Sequence, residues 1–174
     1  MKIGFIRTSK KENERRIPLL PRFIQNLPLP VRKDLYFELG YGLNDGFSDD
    51  SIKKLECNIL SRSEIFRVCD IVVLPKPLLS DLHQMKQSQV LFGWPHCVQQ
   101  VDIAQVAIDK KLSFIAWEAM YAWSEKDEKG VHTFYRNNEI AGYAAVHHAL
   151  NLFGMDGVYG QKLLGLDLIE KKKS

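Results

Sequence analysis

The sequence predicts an α/β fold, a mainly parallel open sheet flanked by helices. Three observations lead there. Five short apolar runs, Ile3–Ile6, Leu35–Phe37, Ile71–Leu74, Val90–Phe92 and Phe114–Ala116, have the length and composition of buried strands. Segments between several of these runs carry helical spacing, and such alternation builds layered, largely parallel sheets. Finally, the 174 residues are 45% hydrophobic and 26% charged, the balance of one soluble globular domain with a core of its own.

The first strand begins at once, in M-K-I-G-F-I-R, with no signal-peptide core ahead of it. After the second run, Gly40, Gly42 and Gly46 with Asn44 and Asp45 form a loop of turn formers, and Ser48 is placed to cap a helix opening on Asp49, Asp50 and Ser51. Ile103, Val106, Ala107 and Ile108 share one side of a helix crossing from the Val90 run to the Phe114 run, and Asp102 favours its first turn. Asn138-Glu139 opens the longest helix, with Ile140, Ala144, Ala145, Ala149 and Leu152 apolar and Gly154 in the position of a C-cap. Ser124–Gly130 reads as a charged loop.

Composition excludes several functions. The net charge of +3 is small, and Lys171, Lys172 and Lys173 supply part of it, so neither a nucleic-acid nor a membrane surface is expected. No apolar run approaches the roughly 18 residues of a membrane-spanning helix, and a cytoplasmic location is the expectation. Cys57, Cys69 and Cys97 are odd in number and widely spaced, which gives neither a disulfide framework nor a C-x-x-C site. His132, His147 and His148 lack companions at metal-ligand spacing. No metal site is expected.

Chemistry concentrates where strands end. Lys76 lies between Pro75 and Pro77 after the Ile71 run, His96 follows the Val90 run in V-L-F-G-W-P-H, and Arg15 with Arg16 follow the first strand in N-E-R-R-I-P-L-L-P. Parallel strands would carry all three to one rim of the sheet, where ligands of open α/β folds bind. Arginine suits two-point recognition of a carboxylate, lysine adds a point charge, and histidine passes protons at neutral pH. Taken singly, each such residue is more often plain surface. Glu118, in I-A-W-E-A-M, also ends a strand and could shape the rim, while Trp94, Trp117 and Trp123 wall a pocket or fill the core.

Six segments in order along the chain carry a family resemblance. They are K-I-G-F-I-R with N-E-R-R-I-P-L-L-P, E-L-G-Y-G with D-G-F-S-D-D, D-I-V-V-L-P-K-P, V-L-F-G-W-P-H, F-I-A-W-E-A-M and N-N-E-I-A-G-Y-A-A. Over about residues 2 to 160 the chain resembles the N-terminal catalytic domain of the alanine dehydrogenase and pyridine-nucleotide transhydrogenase superfamily, a Rossmann-like or flavodoxin-like fold. The W-P-H turn and the helix after Asn137 look most like N5-(carboxyethyl)ornithine synthases, which join pyruvate reductively to the ornithine side-chain amine.

The resemblance implies a substrate arginine at Arg16, with Lys76 and His96 both binding substrate and acting in catalysis. Pro77 stands where alanine dehydrogenases usually carry a glutamate. It further implies NAD or NADP as cofactor of the full-length enzymes, with pyruvate and an amino acid as small-molecule partners. A homo-oligomer or a separate nucleotide-binding chain is the expected protein partner. Gly154, Gly157 and Gly160 are spaced G-x-x-G-x-x-G without a preceding strand, unlike the G-x-G-x-x-G fingerprint. No cofactor-binding residue is therefore expected in this chain, and residues 161 to 174 read as a truncated tail, with the nucleotide-binding domain absent. The alternatives are an alanine dehydrogenase-like fragment, or a non-catalytic module that binds a small oxo acid or pairs with a partner.

Overall fold

A computed structural model describes residues 1–12 and 14–154. These form two compact units, one of residues 1–120 and one from Tyr121 onward. The first unit contains β1 (Ile3–Phe5), α1 (Leu29–Lys33), β2 (Leu35–Glu38), α2 (Asp49–Lys53), β3 (Asn58–Leu60), α3 (Arg62–Val68), β4 (Ile71–Val73), α4 (Leu79–Gln84), β5 (Val90–Gly93), α5 (Val101–Asp109) and β6 (Ser113–Ala116). The second contains β7 (Tyr121–Trp123), β8 (Lys129–His132) and α6 (Tyr135–Leu152).

Six strands make one sheet in the order β3-β2-β1-β4-β5-β6, and every pairing is parallel. The order reverses between β1 and β4, and that reversal opens a crevice at the carboxyl ends of those strands. Side chains alternate across the sheet with a period of two. Ile6, Val72, Leu74 and Leu91 enter one core with Ile65 and Phe66 of α3, Leu82 of α4 and Ile103 of α5. Leu35 and Phe37 enter the other, with Ile24, Tyr41 and Ile52. Gly4 admits α3 at close range, since a Cβ there would lie 2.4 Å from Ile65 Cγ2 and 2.8 Å from Cys69 Sγ.

Helix ends are closed by side chains. Ser48 Oγ accepts from Ser51 N at 3.2 Å, the cap expected from sequence. Ser61 and Glu64 form a reciprocal capping box on α3, with Ser61 N donating to Glu64 Oε2 at 2.9 Å. The carboxyl ends are met from elsewhere in the chain. Gln89, 1% exposed, donates to the carbonyls of Phe66 and Cys69 at 2.9 and 2.7 Å. Lys110 Nζ donates to the carbonyls of Leu82, His83 and Met85 at 3.1, 2.6 and 2.7 Å.

Several sequence expectations shift. β3 had no counterpart among the five expected strands. The charged loop Ser124–Gly130 is largely the turn of an antiparallel hairpin, its last two residues lying in β8. The long helix starts at Tyr135, three residues ahead of Asn138, and Gly154 follows it at φ 71° with its N–H donating to Asn151 O. No residue of α6 is buried, and Ile140, Tyr143 and Val146 are exposed along it. Among the described residues, no helix is long and apolar enough to cross a membrane. Gly157, Gly160 and the tail from 161 to 174 lie outside the described residues.

Candidate active site at the carboxyl rim

The turns that carry Lys76 and His96 come together through a close approach of two strand ends. Trp94 N donates to Pro75 O at 2.8 Å, and Leu74 N to Phe92 O at 3.0 Å. Gly93 makes room for this, because a Cβ there would meet Leu74 O at 1.9 Å. The proline-flanked Lys76 turn and the W-P-H turn therefore sit side by side at the rim. Ser9, in the loop after β1, ties that loop to the same place by donating from Oγ to the Lys76 carbonyl.

Arg16 arrives from the loop after β1, and the residue that gathers the cations is Glu14. Arg16 donates to Glu14 Oε1 from N at 3.0 Å and from Nε at 2.8 Å, and to Oε2 from Nη2. Lys76 Nζ stands 3.6 Å from Glu14 Oε2. Glu14 is only 5% exposed, against 43% for Arg16 and 32% for Lys76. The Arg16 guanidinium holds the Glu14 carboxyl well below the usual range, at about 2, against a smaller opposing push from burial. Reciprocally, the Glu14 hydrogen bonds raise the pKa of Arg16. The guanidinium also lies 4.7 Å over the Trp94 ring, a cation–π contact that links Arg16 to the turn bearing His96. Trp94 in turn meets Trp117 edge-on at 4.6 Å.

His96 is held in the left-handed region at φ 47°, an uncommon state for a residue with a Cβ. Its N–H donates to Glu118 Oε1 at 2.8 Å, and its Nδ1 lies 3.9 Å from the same oxygen. Glu118 thus fixes the backbone of the turn and faces the imidazole. His96 engages Glu118, whereas Arg16 and Lys76 meet on Glu14, two small clusters joined through Trp94. The Arg16 side opens into a depression of about 560 Å³ lined by Glu12, Glu14, Arg15, Arg16 and Lys76. Sequence reasoning named Arg15, Arg16, Lys76, His96, Trp94 and Glu118 but passed over Glu14. The carboxylate two residues ahead of an arginine in E-R-R was the available signal.

The crevice beside β1 and β2 lacks the features with which such folds hold a dinucleotide. β1 is followed by a glycine-free loop up to the 3₁₀ turn Pro21–Asn26, so no helix N-terminus and glycine turn receive a pyrophosphate. Glu38, at the end of β2 where such folds place a ribose-binding acid, is committed to Arg7 N at 2.7 Å and Arg62 Nη1 at 3.3 Å. No group of three or more His, Cys, Asp or Glu among the described residues could hold a metal ion.

Residues 5–141 match the family described as "Alanine dehydrogenase/PNT, N-terminal domain". The chain is 29% identical over 164 residues to the N(5)-(carboxyethyl)ornithine synthase of Lactococcus lactis subsp. lactis, covering 89% of this chain and 51% of that protein. It is 30% identical over 164 residues to the same-named protein of Clostridium botulinum, covering 88% and 50%. An alanine dehydrogenase of Methanococcus maripaludis is 29% identical over 112 residues, covering 63% and 30%. The chain thus spans about half the length of the synthases it matches. Among solved structures, an L-alanine dehydrogenase superposes with a TM-score of 0.60 at 22% identity, covering 74% of this chain and 35% of that one. A transhydrogenase from Sinorhizobium meliloti gives 0.66 at 16% identity, covering 87% and 44%. At these identities the likeness concerns the fold.

Proposed function

Since the chain belongs to the alanine dehydrogenase/PNT N-terminal domain family, we propose that it is the oxo-acid-binding half of a cytoplasmic NAD(P)-dependent oxidoreductase acting on C–N bonds. The reaction assigned to it is that of an N(5)-(carboxyethyl)ornithine synthase, in which pyruvate and ornithine are the substrates. The observation that carries the reading is the gathering of Arg16 and Lys76 on one rim carboxylate beside the Trp94 to His96 turn.

In this reading Arg16 binds the pyruvate carboxylate and Lys76 polarises the keto oxygen, each through charge-assisted hydrogen bonds. The amine nitrogen attacks the keto carbon, forming the C–N bond as the oxygen takes up a proton. The nitrogen then loses a proton, the oxygen takes up a second, and the C–O bond breaks, releasing water and leaving a protonated imine. His96 carries the protons between nitrogen, oxygen and solvent. Reduction of the protonated imine needs a hydride, which a nicotinamide cofactor would supply.

Calorimetric titration with pyruvate tests the binding half of this reading. Arg16→Ala and Lys76→Ala should each weaken binding by about tenfold or more, the worth of a lost hydrogen bond between charged groups. His96→Ala should leave pyruvate binding in place. It should slow formation of the condensation product from pyruvate and ornithine when cyanoborohydride reduces the imine in place of a nicotinamide. Ammonia outperforming ornithine in that assay would favour an alanine dehydrogenase-like activity. Pyruvate binding untouched by Arg16→Ala would overturn the proposal.

A further inference from the structure

Glu14 gathers the cations of this site but takes no part in the steps proposed for them. Its carboxylate is nearly buried, receives three donors from Arg16 and faces the Lys76 ammonium. Those contacts tether it to the cations that, in the reading above, receive the substrate. The depression is lined by three cations, Arg15, Arg16 and Lys76, and two carboxylates, Glu12 and Glu14. One positive charge is in excess, which a ligand with a single carboxylate cancels. A second carboxylate would leave the filled site with a net negative charge.

We propose that Glu14 sets the charge this site offers and thereby selects oxo acids with one carboxylate over those with two. The proposal rests on the oxo-acid-binding reading and goes beyond it by naming the residue that discriminates. Glu14 can do so because it is ionised throughout the neutral range and sits in a partly desolvated pocket, where charges are screened less than at the open surface. Glu12 is exposed and contributes more weakly to the same balance.

Pyruvate and 2-oxoglutarate, titrated calorimetrically at low salt, are the probes. The wild-type chain should bind pyruvate more tightly. Glu14→Gln keeps the shape of the side chain and removes its charge, which a dianion feels twice as strongly as a monoanion. The ratio of the two affinities should therefore move about tenfold toward 2-oxoglutarate, the scale of one unit charge several ångströms away in a partly polar site. Glu14→Asp keeps the charge and should keep the wild-type preference, even where its shorter arm weakens both ligands. An unmoved ratio in Glu14→Gln, or an equal change for both oxo acids, would overturn the proposal, because Glu14 then only positions Arg16. A preference lost in Glu14→Asp would overturn it as well. These failures differ from failure of the functional reading, in which Arg16→Ala leaves binding intact or the wild-type chain binds neither oxo acid.

Discussion

Glu14 links the site to the stability of the fold. Its folded pKa of about 2 lies below the ordinary value of 4.5, so the unfolded chain binds the proton more readily. Its stabilising contribution is complete above about pH 4.5 and is lost as the pH falls through 2. Urea midpoints at pH 7, 4 and 3 should show the gap between wild type and Glu14→Gln closing as the pH falls. A gap that widens toward acid would contradict the assignment. Gln89 is a second case in which one side chain does several jobs, since its Oε1 accepts from Lys86 N while its amide serves the end of α3. Gln89→Leu should cost about 1–3 kcal/mol, the range for buried polar groups left without partners, readable as a lower urea midpoint. Gln89 was not legible in the sequence, and Glu14 offered only its spacing from Arg16 in E-R-R. Lys76 and His96 stood out because each follows a proline just past a strand, whereas Glu14 and Gln89 are ordinary polar residues in the sequence.

At the scale of elements, strand existence was legible where the apolar runs are dense. Ile71–Val73 and Val90–Gly93 lie inside the sheet with neighbours on both sides. β3 is an edge strand of three half-buried residues, N-I-L, and edge strands need not be apolar on both faces. The hairpin from β7 to β8 escaped notice because its charged turn dominates the composition around it. The Gly93 close approach was also partly legible, as a glycine between a strand and a proline, but which backbone it admits depends on the neighbouring strand end. Gly93→Ala should therefore damage more than β5. With Leu74 O in the place of the new methyl, the ends of β4 and β5 must separate, and Lys76 moves away from the Trp94 turn. The expected result is a lower melting temperature together with weakened pyruvate binding. Gly4→Ala presses on α3 instead and should lower stability with less effect on the affinity of any chain that remains folded.

For the molecule as a whole, the strand order explains why residues so far apart in sequence share a rim. Parallel strands all finish on the same side, and the reversal between β1 and β4 leaves their following loops to diverge around a crevice. Arg16, Lys76 and His96 follow β1, β4 and β5, so the sheet brings each to that rim, where Glu14 and Trp94 gather Arg16 with its neighbours. The same strand order receives a dinucleotide in Rossmann folds, and this rim differs from those sites. It lacks the glycine turn and helix N-terminus after β1, and Glu38 is engaged by Arg7 and Arg62. Pyrophosphate would meet a loop bearing Glu12 and Glu14 rather than a row of free N–H groups. The chain titrated with NADH or NADPH, followed by nucleotide fluorescence, should accordingly show no saturation in the micromolar range. Hydride transfer depends on holding donor and acceptor together, so mixtures of NADH, pyruvate and ornithine should also show no oxidation above the uncatalysed rate. Oxidation that His96→Ala abolishes would show that residues 1–174 complete a nucleotide site that the described rim does not contain.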